Sequence, residues 1–159
     1  MIRSLKKEDV TMLMEIGDLA WKTIYEMYRE TYGEELFQML MPNFKTSKGQ
    51  AIQRKCENEP EEVLICEEEG QVVGFITFTI DSAKKIGIIS NNAVDPRCGL
   101  KGIGQQMYKA VLSLFKEKGL KYAKVTTGLD DAHFPARRAY ERAGFNISRS
   151  DITYYMKLY

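Results

Sequence analysis

The sequence is short of several features that would assign it to a broad class. Lys and Arg number 23 against 22 Asp and Glu, a formal net charge of +1, so no charge excess marks a nucleic-acid or membrane partner. Any anion it binds must be held locally. The 3 cysteines, Cys56, Cys66 and Cys98, are odd in number and include no CxxC pair, which argues against a disulfide framework or a zinc site and for a reducing, cytoplasmic setting. No apolar run approaches the ~18 residues of a membrane span, and MIRSLKKEDV has no signal-peptide apolar region. Internal repeats and low-complexity tracts are absent. A length of 159 residues makes one domain, residues 1–159, the expectation, with enough chain to bury a core.

What is present is a change of period along the chain. Ile2 to Leu5 reads as a short strand, and a long helical region runs from about Asp9 to Phe44, with Gly17 and Gly33 expected to interrupt it. Trp21, Tyr25, Tyr28 and Tyr32 share one helical face; they form a core stripe or the wall of a substrate pocket. A polar segment, Lys45 to Glu62, holds a short helix around Ser47 to Cys56. VLICEEEGQVVGFITFTI then reads as a hairpin turning at Glu69-Gly70, and IGIISNNAV is a third strand. Ile103, Met107, Val111, Leu114 and Phe115 lie on one face of a helix that closes at Gly119. Leu120 to Thr127 reads as a strand parallel to Ile86–Val94, because a helical crossover separates them. A helix from Pro135 to Ala143 stops at Gly144, and the alternating ITYYMKL reads as a last strand.

Between the third strand and its helix lies VDPRCGLKGIGQQMY. The first turn of a helix carries unpaired N–H groups and positive dipole charge, and glycines let an anion approach them. Gly99, Gly102 and Gly104, with Lys101 among them, form a candidate pyrophosphate cradle. Walker A chemistry is excluded, since Lys101 precedes Gly102 and no Gly-Lys-Ser/Thr ending follows. The GLKGIG spacing also departs from the dinucleotide fingerprint, and the upstream strands form a meander rather than an opening βαβ unit.

This stretch resembles motif A of the GNAT superfamily of acetyl-CoA-dependent N-acetyltransferases, and ARRAYERAGF resembles its motif B, in the same order and separation. The resemblance implies an α/β (α+β) fold: a mixed, mostly antiparallel sheet of six or seven strands with helices on both faces. The family's loop pattern, R/Q-x-x-G-x-G/A, falls on Gly99 through Gly104, with Gly99 standing where Arg or Gln is usual. Main-chain N–H groups from Gly99, Leu100, Lys101, Gly102, Ile103 and Gly104 would bind the CoA pyrophosphate, with Arg97 or Lys101 adding charge. Asn92, Ala93 and Val94 map to the splayed strand that meets the pantetheine and the acetyl carbonyl. His133, Ala136 and Tyr140 fill the pattern N-x-x-A-x-x-x-Y, with His133 in the asparagine's place as a pantetheine contact.

Acyl transfer from a thioester to an amine needs a neutral amine, a polarised carbonyl and a protonated leaving thiolate. Through the resemblance, Tyr140 is the general acid, a backbone N–H near Asn92 the oxyanion donor, and Asn91 or Asn92 a group that orients water or acceptor. Many members carry a glutamate base on this strand, but IGIISNNAV has no carboxylate, so the base is unassigned. Asp130 and Asp131 suit the positive end of the following helix or an acceptor ammonium. No metal is expected, because the EEEG run lacks a complementary ligand set. The expected partners are acetyl-CoA and a primary amine, with neither nucleic acid nor membrane involved; dimers are frequent in the family. The alternatives are a catalytically silent CoA-binding sensor or interaction module of the same fold, and an unrelated phosphate-ligand-binding protein.

Overall fold

The computed structural model describes residues 1–159. Its strands are β1 Ile2–Ser4, β2 Val63–Glu68, β3 Gln71–Asp81, β4 Ile86–Val94 and β5 Tyr122–Val125, and its helices are α1 Val10–Leu40, α2 Ser47–Asn58, α3 Ile103–Glu117 and α4 Phe134–Ala143. The strands make one sheet in the order β1-β2-β3-β4-β5. The first four pair antiparallel, and β4 pairs β5 in parallel.

Local chemistry explains these elements. The β2–β3 loop is two residues, Glu69 (φ 51) and Gly70 (φ 78), and two left-handed residues give the turn whose twist matches the strands it joins. In α3 every fourth residue, Ile103, Met107, Val111 and Phe115, is buried, so this helix lays one stripe on the sheet. That face also takes Cys66, Val73, Ile76, Phe78, Ile89 and Tyr140. The opposite face carries Ile65, Phe75 and Ala93 beneath Leu13 and Ile16 of α1 and Ile52 of α2.

Ile89 and Ala93 lie on opposite faces of the sheet although four residues apart, which a regular strand would place together. The cause is a bulge. Ile76 pairs Asn92 and Phe78 pairs Ile89, so Ser90 and Asn91 together oppose the single residue Thr77. One extra residue reverses the alternation beyond it, and Asn92 comes onto the same face as Ile89.

The structure corrects three expectations. The sheet has five strands, not six or seven, because ITYYMKL pairs with nothing: residues 145–159 contain no strand. Instead Tyr155 packs edge-on against Tyr32 of α1 with ring centroids 5.5 Å apart, and Lys157 pairs with Glu35 at 2.6 Å. Only one of the two glycines interrupts α1. Gly33 has non-helical angles (φ 75, ψ 161); Gly17 is helical and buried, and a Cβ there would sit 2.2 Å from Ile52 Cδ1, so it lets α2 approach. The aromatic stripe is half-buried along its length, with Trp21 against the α1–α2 core and Tyr28 stacked on Tyr32. No helix is long and apolar enough to cross a membrane.

Candidate active site

The site is built where β4 leaves β5. The two strands pair only over Ile86–Ile89 and Tyr122–Val125, so Ser90–Val94 continue beside β3 alone. The Asp95 N–H donates to Val73 O at 2.8 Å, and antiparallel alternation then gives Ala93 the same direction. The main-chain groups of Asn92 and Val94 consequently point to the other side, into the gap that β5 vacates. A strand edge of this kind offers hydrogen bonds to an extended ligand lying in the gap.

The bulge that aims Asn92 is held by a buried hydroxyl. Thr77 Oγ1 accepts from the Asn91 N–H at 2.9 Å and donates to Asn91 O at 3.1 Å, pairing both groups that the bulge takes out of the ladder. Thr77→Val keeps the shape but strands two backbone groups in a site with 0% exposure. The expected cost is about 2 kcal/mol, a fall in Tm of roughly 4–8 °C for a chain of this size. A melting curve checks the stability loss, and a reduced kcat would report the displaced Asn92.

Asn92 is the centre of a three-residue chain. Tyr108 of α3 donates its hydroxyl proton to Asn92 Oδ1 at 2.8 Å, and Asn92 Nδ2 donates to the Tyr140 hydroxyl at 3.0 Å. Burial, with Tyr140 alongside, pushes the Tyr108 phenol well above its ordinary value, so Tyr108 remains a donor and sets the Asn92 amide one way round. Tyr140 thus receives a hydrogen bond and keeps its own O–H free to give. It is 8% exposed and wedged between Tyr108 and Phe145. Ala136 lies one turn before Tyr140, on the same face of α4. Gln105 Nε2 donates to Ala139 O at 2.9 Å, tying α4 to the start of α3.

The glycine loop leads from this strand end into α3. Gly99 (φ 65) and Gly102 (φ 81) are left-handed, and nothing lies within 4 Å of where their Cβ atoms would be. Leu100 and Lys101 are exposed between them, while Ile103 is buried and anchors the helix. Gly104 stands in the first turn, where N–H groups have no intrahelical partner. Arg97 is already engaged: its Nε and Nη2 donate to Asp95 at 2.9 Å each, and Nη1 reaches Glu15. Arg97 in turn holds the Asp95 carboxyl below its usual range. The exposed positive charge on the loop that makes no ion pair is therefore Lys101.

His133 is not brought to Tyr140; seven residues along the chain separate them, roughly 10 Å of helical rise. It belongs to the single 3₁₀ turn Asp131–His133 before α4. Asp130 caps that turn by accepting the His133 N–H at 3.0 Å, and its carboxylate lies 2.8 Å from the ring Nδ1. Burial raises the Asp130 carboxyl, but the bonds from His133 outweigh it and hold the group below its ordinary value. Tyr28 faces the same ring at 6.4 Å. Asp131 accepts no cap bond and is exposed.

Sequence reasoning missed Thr77, Tyr108 and Lys48. Lys48 Nζ donates to Asn91 Oδ1 at 3.0 Å and sits 4.3 Å over the Trp21 ring, and burial pushes its ammonium below the ordinary lysine value. Tyr108 is the last residue of the glycine-loop motif, and its four-residue offset from Gly104 was the available signal. Thr77 was visible only as a polar residue inside an apolar strand.

Comparison with known proteins agrees with this architecture. The acetyltransferase (GNAT) family model matches residues 21–145, and the chain belongs to that family. An uncharacterized N-acetyltransferase of Bacillus subtilis, YhfO, is 24% identical over 157 residues, covering 96% of this chain and 94% of that protein. PaiA N-acetyltransferase from Thermoplasma acidophilum, solved in complex with coenzyme A, superposes with a TM-score of 0.68 at 21% identity, over 95% of this chain and 92% of that one. The BH1408 protein of Bacillus halodurans, as an F44R mutant, gives a TM-score of 0.72 at 17% identity, over 99% of both chains. The protein is an acyltransferase of the N-acetyltransferase class.

Proposed function

We propose that residues 1–159 act as one catalytic domain that transfers an acetyl group from acetyl-CoA directly to a primary amine of a small molecule or peptide. The observation that carries the reading is the Tyr108–Asn92–Tyr140 chain, which leaves a buried phenol with a free proton at the strand end where β4 and β5 part. The CoA bound by the related PaiA enzyme supports the choice of co-substrate.

In this reading the pyrophosphate lies on the main-chain N–H groups of Gly99–Gly104, with Lys101 as counter-charge, where the α3 dipole favours an anion. The pantetheine follows the free edge of Asn92, Ala93 and Val94, extending toward Ala136 and His133. The neutral amine attacks the thioester carbonyl, and the Val94 or Asn92 N–H stabilises the oxygen as it gains charge. The C–S bond then breaks, and the departing thiolate takes the proton of Tyr140. The amine nitrogen gives up its own proton to water, since β4 carries no carboxylate. The reaction needs no metal, and cytoplasmic localisation fits the free thiols of Cys56, Cys66 and Cys98.

Calorimetric titration with acetyl-CoA, with ATP and NAD as controls, followed by thiol release across a panel of amines, tests this. Selective binding and amine-dependent thiol release are the expected results. Binding without release on any amine would make the protein a CoA sensor, and absence of binding would discard both readings.

A further inference from the structure

Two neighbouring asparagines reach opposite faces of the sheet just past the point where β5 ends. Asn92 meets Tyr140 on the α3–α4 side, and Asn91 meets Lys48 of α2 on the α1–α2 side. Between them lies the gap beside Ser90–Val94 that β5 leaves. On the reading above CoA comes to this gap from the glycine loop and α4. The amine that attacks it therefore comes from the other face, where Lys48 stands.

Lys48 is the one lysine shielded from water that has no carboxylate partner. The other half-buried lysine, Lys55, pairs with Glu59 and Glu62, and the rest are exposed. Lys48 Nζ instead lies 4.3 Å from the centre of the Trp21 ring and donates to Asn91 Oδ1 at 3.0 Å. An ammonium carries three donors, and the others here meet no protein acceptor. Withdrawing such a charge from water is costly unless an anion answers it, and here burial lowers the pKa with no acidic neighbour to offset it. A carboxylate arriving beside the ammonium would reverse that shift.

The start of α2 is held firmly against α1. The Gly49 N–H donates to Asp18 Oδ1 at 2.7 Å, and a Cβ on Gly49 would lie 2.5 Å from Asp18 Oδ2. Asp18 is thereby spent on the backbone of α2 and makes no ion pair with Lys48. Tyr25, one turn along α1 from Trp21, bonds Ser47 at 3.2 Å, so the aromatic wall continues past Lys48. A fixed ammonium beside an aromatic wall suits an anion attached to an apolar group.

We propose that Lys48 binds a carboxylate of the acceptor, and that the acceptor is an amino acid, a primary amine carrying its own carboxylate, with its side chain against Trp21 and Tyr25. The inference rests on acetyl transfer as read above and narrows its substrate. The carboxylate accepts charge-assisted bonds from the free Nζ donors, which leaves the amine at the gap opposite Tyr140. Lys48 thus selects the acceptor, and the proton path stays as described.

Thiol release from acetyl-CoA, measured with the protein amino acids that carry a primary amine and with the amine each becomes on decarboxylation, tests this. The amino acids are expected to be the better acceptors. Lys48→Met keeps an unbranched stem over Trp21 and removes the charge. It should cut the preference for amino acid over amine, as a ratio of kcat/KM values, roughly 10- to 100-fold, the usual worth of a bond to a charged group. Lys48→Arg should keep much of that preference, and acetyl-CoA calorimetry on both variants confirms that they fold. Decarboxylated amines that match the amino acids in the unaltered protein, or an equal loss on both members of each pair in Lys48→Met, would overturn the subsite and leave acetyl transfer standing. Release with peptides or polyamines but with no amino acid would do the same. No release with any amine would discard acetyl transfer, and this subsite with it.

Discussion

Replacing Tyr140 by phenylalanine is expected to lower kcat by about 10²-fold or more, the usual contribution of a positioned general acid, while acetyl-CoA still binds. The hydroxyl accepts from Asn92 Nδ2, so its lone pair is used inward and its proton outward. Phenylalanine keeps the ring packing between Tyr108 and Phe145 and removes the hydroxyl, both the outward proton and the inward acceptor oxygen. Asn92 Nδ2 loses its acceptor, which adds a stability loss of about 1–3 kcal/mol. Melting separates that loss from chemistry: a folded variant that binds acetyl-CoA and turns over slowly has lost the acid. Steady-state turnover measured across pH gives the decisive comparison, because unchanged turnover at every pH would remove Tyr140 from the mechanism.

Much of this architecture is legible in the residues because it follows from local rules. The Glu69-Gly70 turn, the four-residue repeat from Ile103 to Phe115 and the stop at Gly144 each depend on neighbours in sequence. The parallel pairing of β4 with β5 follows from the intervening helix alone. The failures have a common cause. Gly17 is a helix-weakening residue by propensity, yet α2 requires its missing Cβ, and tertiary contact outranks propensity. ITYYMKL has a strand's period, but a strand exists only where an edge accepts it, which no single segment can specify.

The site divides in the same way. The loop glycines and Tyr140 are recognisable because their spacing along the chain is short and fixed. Asn92 is recognisable as a residue of the splayed strand but not as a partner of Tyr140, because the face it occupies depends on the bulge at Ser90-Asn91. Strict alternation from Ile89 would have sent it toward α1. The bulge depends in turn on the Thr77 hydroxyl, a residue on another strand. Arg97 shows what spacing along the chain does not carry. Its charge and position suit a phosphate, but in the folded chain its donors pair with Asp95 and Glu15, partners that lie at the end of β4 and on α1.

Gly102→Val is expected to abolish measurable acetyl-CoA binding while leaving the core intact. Gly102 precedes α3 with φ 81 and ψ −3, a left-handed conformation that a β-branched residue adopts only under strain. That strain costs about 1–2 kcal/mol, enough to weaken binding roughly 5- to 30-fold if the loop must regain its path. The protein itself leaves the Cβ direction empty, so packing does not object. The remaining loss arises at the ligand, because a branched side chain stands where the pyrophosphate must reach the main-chain N–H groups. Gly102→Asn separates the two effects: asparagine tolerates the left-handed region and restores the backbone path while still placing atoms in the approach. Calorimetry on both variants would show binding lost in each if steric access decides, and partly recovered in the asparagine variant if backbone strain decides. Full affinity in the valine variant would mean that the phosphate does not lie on this loop.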